Sequence, residues 1–223
     1  MRTSVVAGEP GPHEGVVVIG RLPHRQVRTA GHHRLLHFVS AGADALDEWD
    51  LQRRGRLVVF AGDAQGRDGY LRELEELART AGIADRIKFA GHVADIAAAY
   101  AAAHVTVVAS IEPEAFGRAA AEALAVGCPV ITTDLGAPPE IVLAEPVVPA
   151  NEITGWVVAP NAEDLARALK IALSLPADIR CAMGQRAIAD MRARFTLDSM
   201  KQQTLRVYDR LLGTTLSALS ATD

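Results

Sequence analysis

Glu114 and Glu122 stand on either side of Phe116 and Gly117 with seven residues between them, in the stretch running from Pro113 to Asp134. A carboxylate accepts hydrogen bonds from vicinal hydroxyls, as an acidic residue does for ribose in dinucleotide-binding sheets. Phosphate is drawn instead to the free N–H groups and positive dipole end of a helix start. The spacing predicts a helix beginning near Phe116-Gly117, with Glu114 just before it and Glu122 about two turns past Glu114, so both can face one ligand. Gly117 removes the Cβ that would keep an anion from the backbone. Phosphate at the helix mouth with hydroxyls behind it describes a nucleotide sugar.

These residues need a scaffold that brings loops and helix starts together, and the hydrophobic pattern supplies one. A continuous apolar run at 16–19 and another at 57–60 read as strands buried on both faces, and 86–90, 104–109, 129–133 and 155–158 read as further strands. Between them fall helical patterns. Leu71, Leu74, Leu77, Ala78 and Ala81 recur at helical spacing and end at Gly82, and Asp95 caps an alanine-rich helix to about Ala103. A helix is also predicted over 32–47, and 136–140 turns into a short one. Asn161 caps a helix with Leu165, Ala168, Leu169, Ile171 and Ala172 on its apolar side, and the tail is helical to about Leu212 with a break near Phe195-Thr196. Strands alternating with helices specify an α/β fold, a doubly wound parallel sheet of the Rossmann-like kind. Ligands bind such sheets outside the carboxyl ends of the strands. That selects the loops 21–28, 62–66, 91–93, 110–117 and 134–140, and the last three, from successive elements, are expected to meet in one cleft.

Composition narrows the function further. The 223 residues carry a net charge of −4, with 49% hydrophobic and 22% charged residues, a globular balance without the basic footprint of a nucleic-acid binder. Residues 1–14, rich in Gly and Pro, read as a flexible leader before a single domain over 15–223. Cys128 and Cys181 have no metal-ligand spacing and suit a reducing compartment. No apolar run approaches the roughly 20 residues of a membrane span, which points to a soluble, cytoplasmic protein. His33 and His37 have metal-ligand spacing but no third ligand in view, and no metal site is expected. Each remaining signal has a plainer reading: Glu122 as a solvated surface residue, Glu114 as a dipole complement, Gly62-Asp63 as a turn, Arg21 as a surface charge.

In combination they are more specific. Glu114-Ala115-Phe116-Gly117, the seven-residue interval to Glu122, Gly127-Cys128-Pro129-Val130-Ile131-Thr132-Thr133-Asp134 and Glu140-Ile141-Val142 resemble the donor-binding half of glycosyltransferase family 4. Gly20-Arg21-Leu22, Gly62-Asp63-Ala64-Gln65-Gly66-Arg67, Phe89-Ala90-Gly91-His92 and Gly155-Trp156-Val157-Val158 follow in the family's order, so the resemblance covers roughly 16–212.

What the resemblance implies is a retaining enzyme of the two-domain GT-B architecture, without metal or cofactor, in which this domain holds a UDP-, GDP- or ADP-sugar. Glu122 would bind ribose hydroxyls, Glu114 would orient the sugar, and amides around Ala115, Phe116 and Gly117, with Arg21 after Gly20, would hold the diphosphate. His92 and Val93 would border the base, and Gly62 and Asp63 would line the cleft. The acceptor would be a saccharide or a lipid-linked one, as in cell-envelope polysaccharide synthesis, with peripheral membrane association for the latter. Two departures stand out. The family follows Gly-Arg-Leu with a lysine, whereas 21–34 here contains none and leaves Arg25 or Arg28 as the available cation. The family's N-terminal acceptor domain is not among the 223 residues, so the expectation is a truncated chain, or one half of a split enzyme, that transfers sugar poorly alone. Two alternatives remain: a non-catalytic nucleotide-sugar-binding module, and a sugar-nucleotide epimerase half.

Overall fold

The computed structural model describes residues 15–18, 57–62 and 68–219. The expected leader, the helix over 32–47, His33 and His37, and the segments carrying Gly20, Arg21, Arg25, Arg28 and Asp63 lie outside the described residues.

Gly15–Val18 (β1), Leu57–Ala61 (β2), Ile87–Gly91 (β3), Thr106–Val108 (β4), Val130–Thr133 (β5) and Gly155–Val158 (β6) form a parallel sheet in the order β3-β2-β1-β4-β5-β6. This is the doubly wound strand order of dinucleotide-binding domains. Winding reverses where β1 pairs with β4, Val17 opposite Thr106, and that reversal opens a crevice at the strands' carboxyl ends.

Helices fill the connections: Asp68–Thr80 (α1), Ile96–Ala101 (α2), Arg118–Ala125 (α3), Pro138–Ile141 (α4), Ala162–Ser174 (α5), Ala177–Arg194 (α6), Leu197–Leu212 (α7) and Leu216–Leu219 (α8). Every residue of β4 and β5 is buried, as strands covered on both faces must be. Successive side chains alternate between faces, so Val107 and Ile131 pack with Leu165 and Leu169 of α5, while Val108 and Val130 pack with Tyr100 and Leu124 of α2 and α3. Buried threonines keep their hydroxyls bonded: Thr133 Oγ1 donates to the Ser110 carbonyl at 2.7 Å, and Thr106 Oγ1 lies 3.2 Å from Cys128 Sγ.

Local signals set most boundaries. Asp95 accepts from the Ala98 N–H and Asn161 from the Asp164 N–H, each at 2.9 Å, so both helices start where their caps stand. Several boundaries differ from expectation by a residue or two. Arg86 belongs to a 3₁₀ turn, Ala84–Arg86, ahead of β3, and β4 is shorter than 104–109 because pairing with β5 begins only at Thr106. The tail breaks at Phe195-Thr196 as expected and also at Leu175-Pro176, where proline's missing N–H favours a new helix start. Against α3 packs α6, where Gly184 lies so near Gly127 that a Cβ on it would come 2.4 Å from the Gly127 carbonyl. None of α7 is buried, and Leu197, Met200, Leu211 and Leu212 stand exposed along it.

Candidate functional site

The loop leaving β4 crosses to α3 under tight backbone constraint. Glu114 forms a parallel bridge with Gly136, and the Ala137 N–H donates to the Glu114 carbonyl at 2.9 Å. Gly136 has φ +78°, and a Cβ there would fall 2.3 Å from the Glu114 oxygen and 2.4 Å from its nitrogen. Only glycine fits so close to another backbone with that φ. The Glu114 carboxylate accepts from Ser110 Oγ at 3.2 Å.

Gly117 is the N-cap of α3 in the left-handed conformation, and a Cβ would meet Pro138 Cγ at 2.9 Å. Among the described residues no side chain caps this helix, so its first-turn N–H groups have no side-chain acceptor there. The helix starts at Arg118, slightly later than the sequence predicts, so Glu122 sits little more than one turn inside it. Arg118 Nη2 donates to Glu122 Oε1 at 2.9 Å, with the Arg118 side chain 75% exposed and that of Glu122 40%. An arginine thus stands at the helix mouth, already in contact with the carboxylate expected to take hydroxyls.

Beneath the pair lies Tyr100, fully buried. Burial first, then the Glu122 charge and more weakly those of Cys128 and Glu114, push its phenol well above the usual tyrosine range. It is a neutral floor. Ala115 and Phe116 are exposed at the rim, and the Phe116 ring meets Phe195 edge-on, centroids 6.0 Å apart.

Loops 110–117 and 134–140 therefore meet, as expected, through the Glu114–Gly136 bridge. Loop 91–93 does not join that contact. Its strand, β3, is the far edge of the sheet, separated from β4 by β2 and β1, about 14 Å at usual strand spacing. The winding reverses between them, so these loops leave strands on opposite sides of the switch point. Gly91 bonds instead to Gly62, whose N–H donates to its carbonyl at 2.8 Å, which leaves His92 exposed and Val93 half-buried beside the end of β2.

Sequence reasoning missed Arg118, Tyr100 and the Gly136 clamp. The i, i+4 spacing of Arg118 and Glu122 could have revealed the first. The clamp has only the weak signal of a glycine before two prolines.

Fold and site together define a doubly wound α/β domain with an uncapped helix start, flanked by two carboxylates, at the carboxyl edge of its sheet. Residues 8–190 match the family described as Glycosyl transferases group 1, and the chain belongs to that family, whose structural neighbours have the GT-B type of fold. It is 34% identical over 133 residues, 60% of this chain, to a lipopolysaccharide core biosynthesis mannosyltransferase, LpcC, of Rhizobium leguminosarum bv. viciae. It spans only 36% of that relative's length. Anabaena HepE, solved in complex with UDP, superposes with a TM-score of 0.68 at 25% identity over 88% of this chain and 49% of that one. The C-terminal domain of a group 1 glycosyl transferase (LpcC) from Francisella tularensis superposes with a TM-score of 0.65 at 27% identity, over 82% of this chain and 87% of that one. Among the described residues no helix is long and apolar enough to cross a membrane.

Proposed function

We propose that this chain is the donor-binding part of a retaining glycosyltransferase, and that it holds a nucleotide-diphosphate sugar for transfer to a saccharide or lipid-linked acceptor bound by a second domain. The observation that carries the reading is the uncapped start of α3, set between Glu114 and Glu122 where the fourth strand ends. The UDP complex of HepE and the mannosyltransferase relative agree with a nucleotide-sugar donor.

In this reading the amides following Gly117 take the diphosphate, Glu122 takes ribose hydroxyls, and Glu114 orients the sugar. Charge develops on the diphosphate as it leaves. Fixed amide dipoles and guanidinium groups stabilise that charge without a metal. Arg21, with Arg25 or Arg28, is the guanidinium the resemblance implies, and Arg118 adds one at the helix mouth. Ribose displaces Arg118 from Glu122, which frees its fork to turn toward phosphate. The leaving phosphate assists deprotonation of the acceptor hydroxyl on the same face, so no protein nucleophile is needed.

Calorimetry of the full chain with UDP-glucose, GDP-mannose and ADP-glucose tests this. At least one donor binds, and Glu122→Ala abolishes its binding. Failure of all three to bind refutes the reading.

A further inference from the structure

Two side chains from the far end of the chain reach the 114–117 turn or the short helix behind it. α4, only four residues long, ends with carbonyls that have no partner inside the helix. Arg194, the last residue of α6, supplies one: Nη1 donates to the Glu140 carbonyl and Nη2 to the Ile141 carbonyl, each at 2.9 Å. The same fork is held by Asp190, to which Nε donates at 2.7 Å. Asp190, one turn earlier on α6, is itself mostly buried. What Arg194 fixes is transmitted at once. The start of α4 carries the Ala137 N–H that bonds the Glu114 carbonyl, and Pro138 lies against Gly117.

The next residue makes a second route. Phe195 stacks under the Arg194 guanidinium, 4.7 Å from ring centroid to Cζ, and meets the exposed Phe116 ring edge-on. Two adjacent residues at the α6–α7 junction therefore reach the turn by separate contacts, one through α4, which adjoins Glu114 and Gly117, the other directly at Phe116.

We infer that Arg194 and Phe195 are positioning residues for the 114–117 turn, holding its amides and the Glu114 side chain in the geometry a nucleotide-diphosphate sugar requires. As applied to donor binding the inference rests on the proposed function; as applied to the turn it does not. A lysine cannot replace Arg194, because one ammonium cannot span a carboxylate and two carbonyls in a planar fork.

The test uses the full chain and two readouts. Amide hydrogen exchange at Ala137, Glu140 and Val142 reports the turn and α4 without any ligand. In Arg194→Gln and Arg194→Lys these amides exchange about tenfold faster while those of α5 are unchanged. Donor affinity, measured with whichever of UDP-glucose, GDP-mannose or ADP-glucose binds the unmodified chain, falls about tenfold in both variants, because small misplacements of a binding group cost that much or more. Phe195→Leu weakens the donor, Phe195→Tyr restores it, and the Leu effect disappears when Phe116 is already Leu, since a residue acting through another has nothing left to act on.

Unchanged exchange at Ala137, Glu140 and Val142, or equal acceleration throughout the chain, overturns the inference. So do additive Phe116→Leu and Phe195→Leu effects. If the unmodified chain binds no donor, the proposed function falls, and amide exchange in the Arg194 variants and in Phe195→Leu, faster at Ala137, Glu140 and Val142 or unchanged there, still decides whether Arg194 and Phe195 position the turn.

Discussion

Replacing Gly136 by alanine is the most demanding single perturbation of this site. The added Cβ would arrive 2.3 Å from the Glu114 oxygen and 2.4 Å from its nitrogen, both backbone atoms that cannot rotate away. Ordinary contact begins near 3.4 Å, so Glu114 or the 134–137 turn must move by about 1 Å. That displacement breaks the Ala137 N–H bond to the Glu114 carbonyl, about 1 kcal/mol, and alanine at φ +78° adds about 1 to 2 kcal/mol of backbone strain. A loss of about 2 to 3 kcal/mol in unfolding free energy is expected, short of unfolding a typical domain. The consequence for ligand is of similar size. Losing one hydrogen bond to a charged ligand group costs about 1.5 to 3 kcal/mol, so donor affinity should drop by about ten- to a hundredfold. Urea unfolding gives the first quantity and calorimetry the second. A Gly136→Ala chain with unfolding free energy within about 0.5 kcal/mol of the parent, the range of an ordinary surface change, would refute the steric reasoning. Normal donor affinity in a chain shown to be strained would refute the role given to the Glu114–Gly136 bridge.

Other outcomes follow from the same geometry. Arg118→Ala should leave stability within about 0.5 kcal/mol, because the exposed pair with Glu122 is screened. It should nonetheless weaken the donor about tenfold and flatten the salt dependence of binding, read by calorimetry from low to high salt. The Cys128 thiol is pushed up to about 11, chiefly by burial, so at pH 8 iodoacetamide should label exposed Cys181 and spare Cys128, as peptide mass spectrometry would show. Asp209 is lowered to about 2 by bonds from Ser217 first, with Thr214 and Leu216 adding. Its folded value lies below its unfolded one, so its contribution is complete above about pH 4 and is lost as pH falls toward 2. Protection of the Leu216 and Ser217 amides should fade over that window, and Asp209→Asn should remove the fading.

Much of the site was legible because local rules write it. Glu114, Gly117 and Glu122 sit on a loop, a cap and a helix whose boundaries are set by neighbours in sequence. Asp95 and Asn161 mark their own helix starts by the same logic. Arg194 carried no such mark. Its partners Glu140 and Ile141 lie more than fifty residues away, and nothing in an i, i+4 pattern on α6 distinguishes an arginine that caps another helix from one that faces water.

By itself the sequence determined the elements, the doubly wound class and the stretch that forms the candidate site. Hydrophobic periodicity and capping are short-range: they record which face of a segment is buried and where its backbone bonds stop. Strand order is another matter. Only the tertiary structure placed β1 beside β4 and sent β3 to the edge, joined loop 91–93 to Gly62 instead of to Glu114, and set Gly136 beneath the Glu114 backbone. The physical reason is that pairing and close packing between distant segments depend on how the crossovers route the chain, and no local pattern encodes that route.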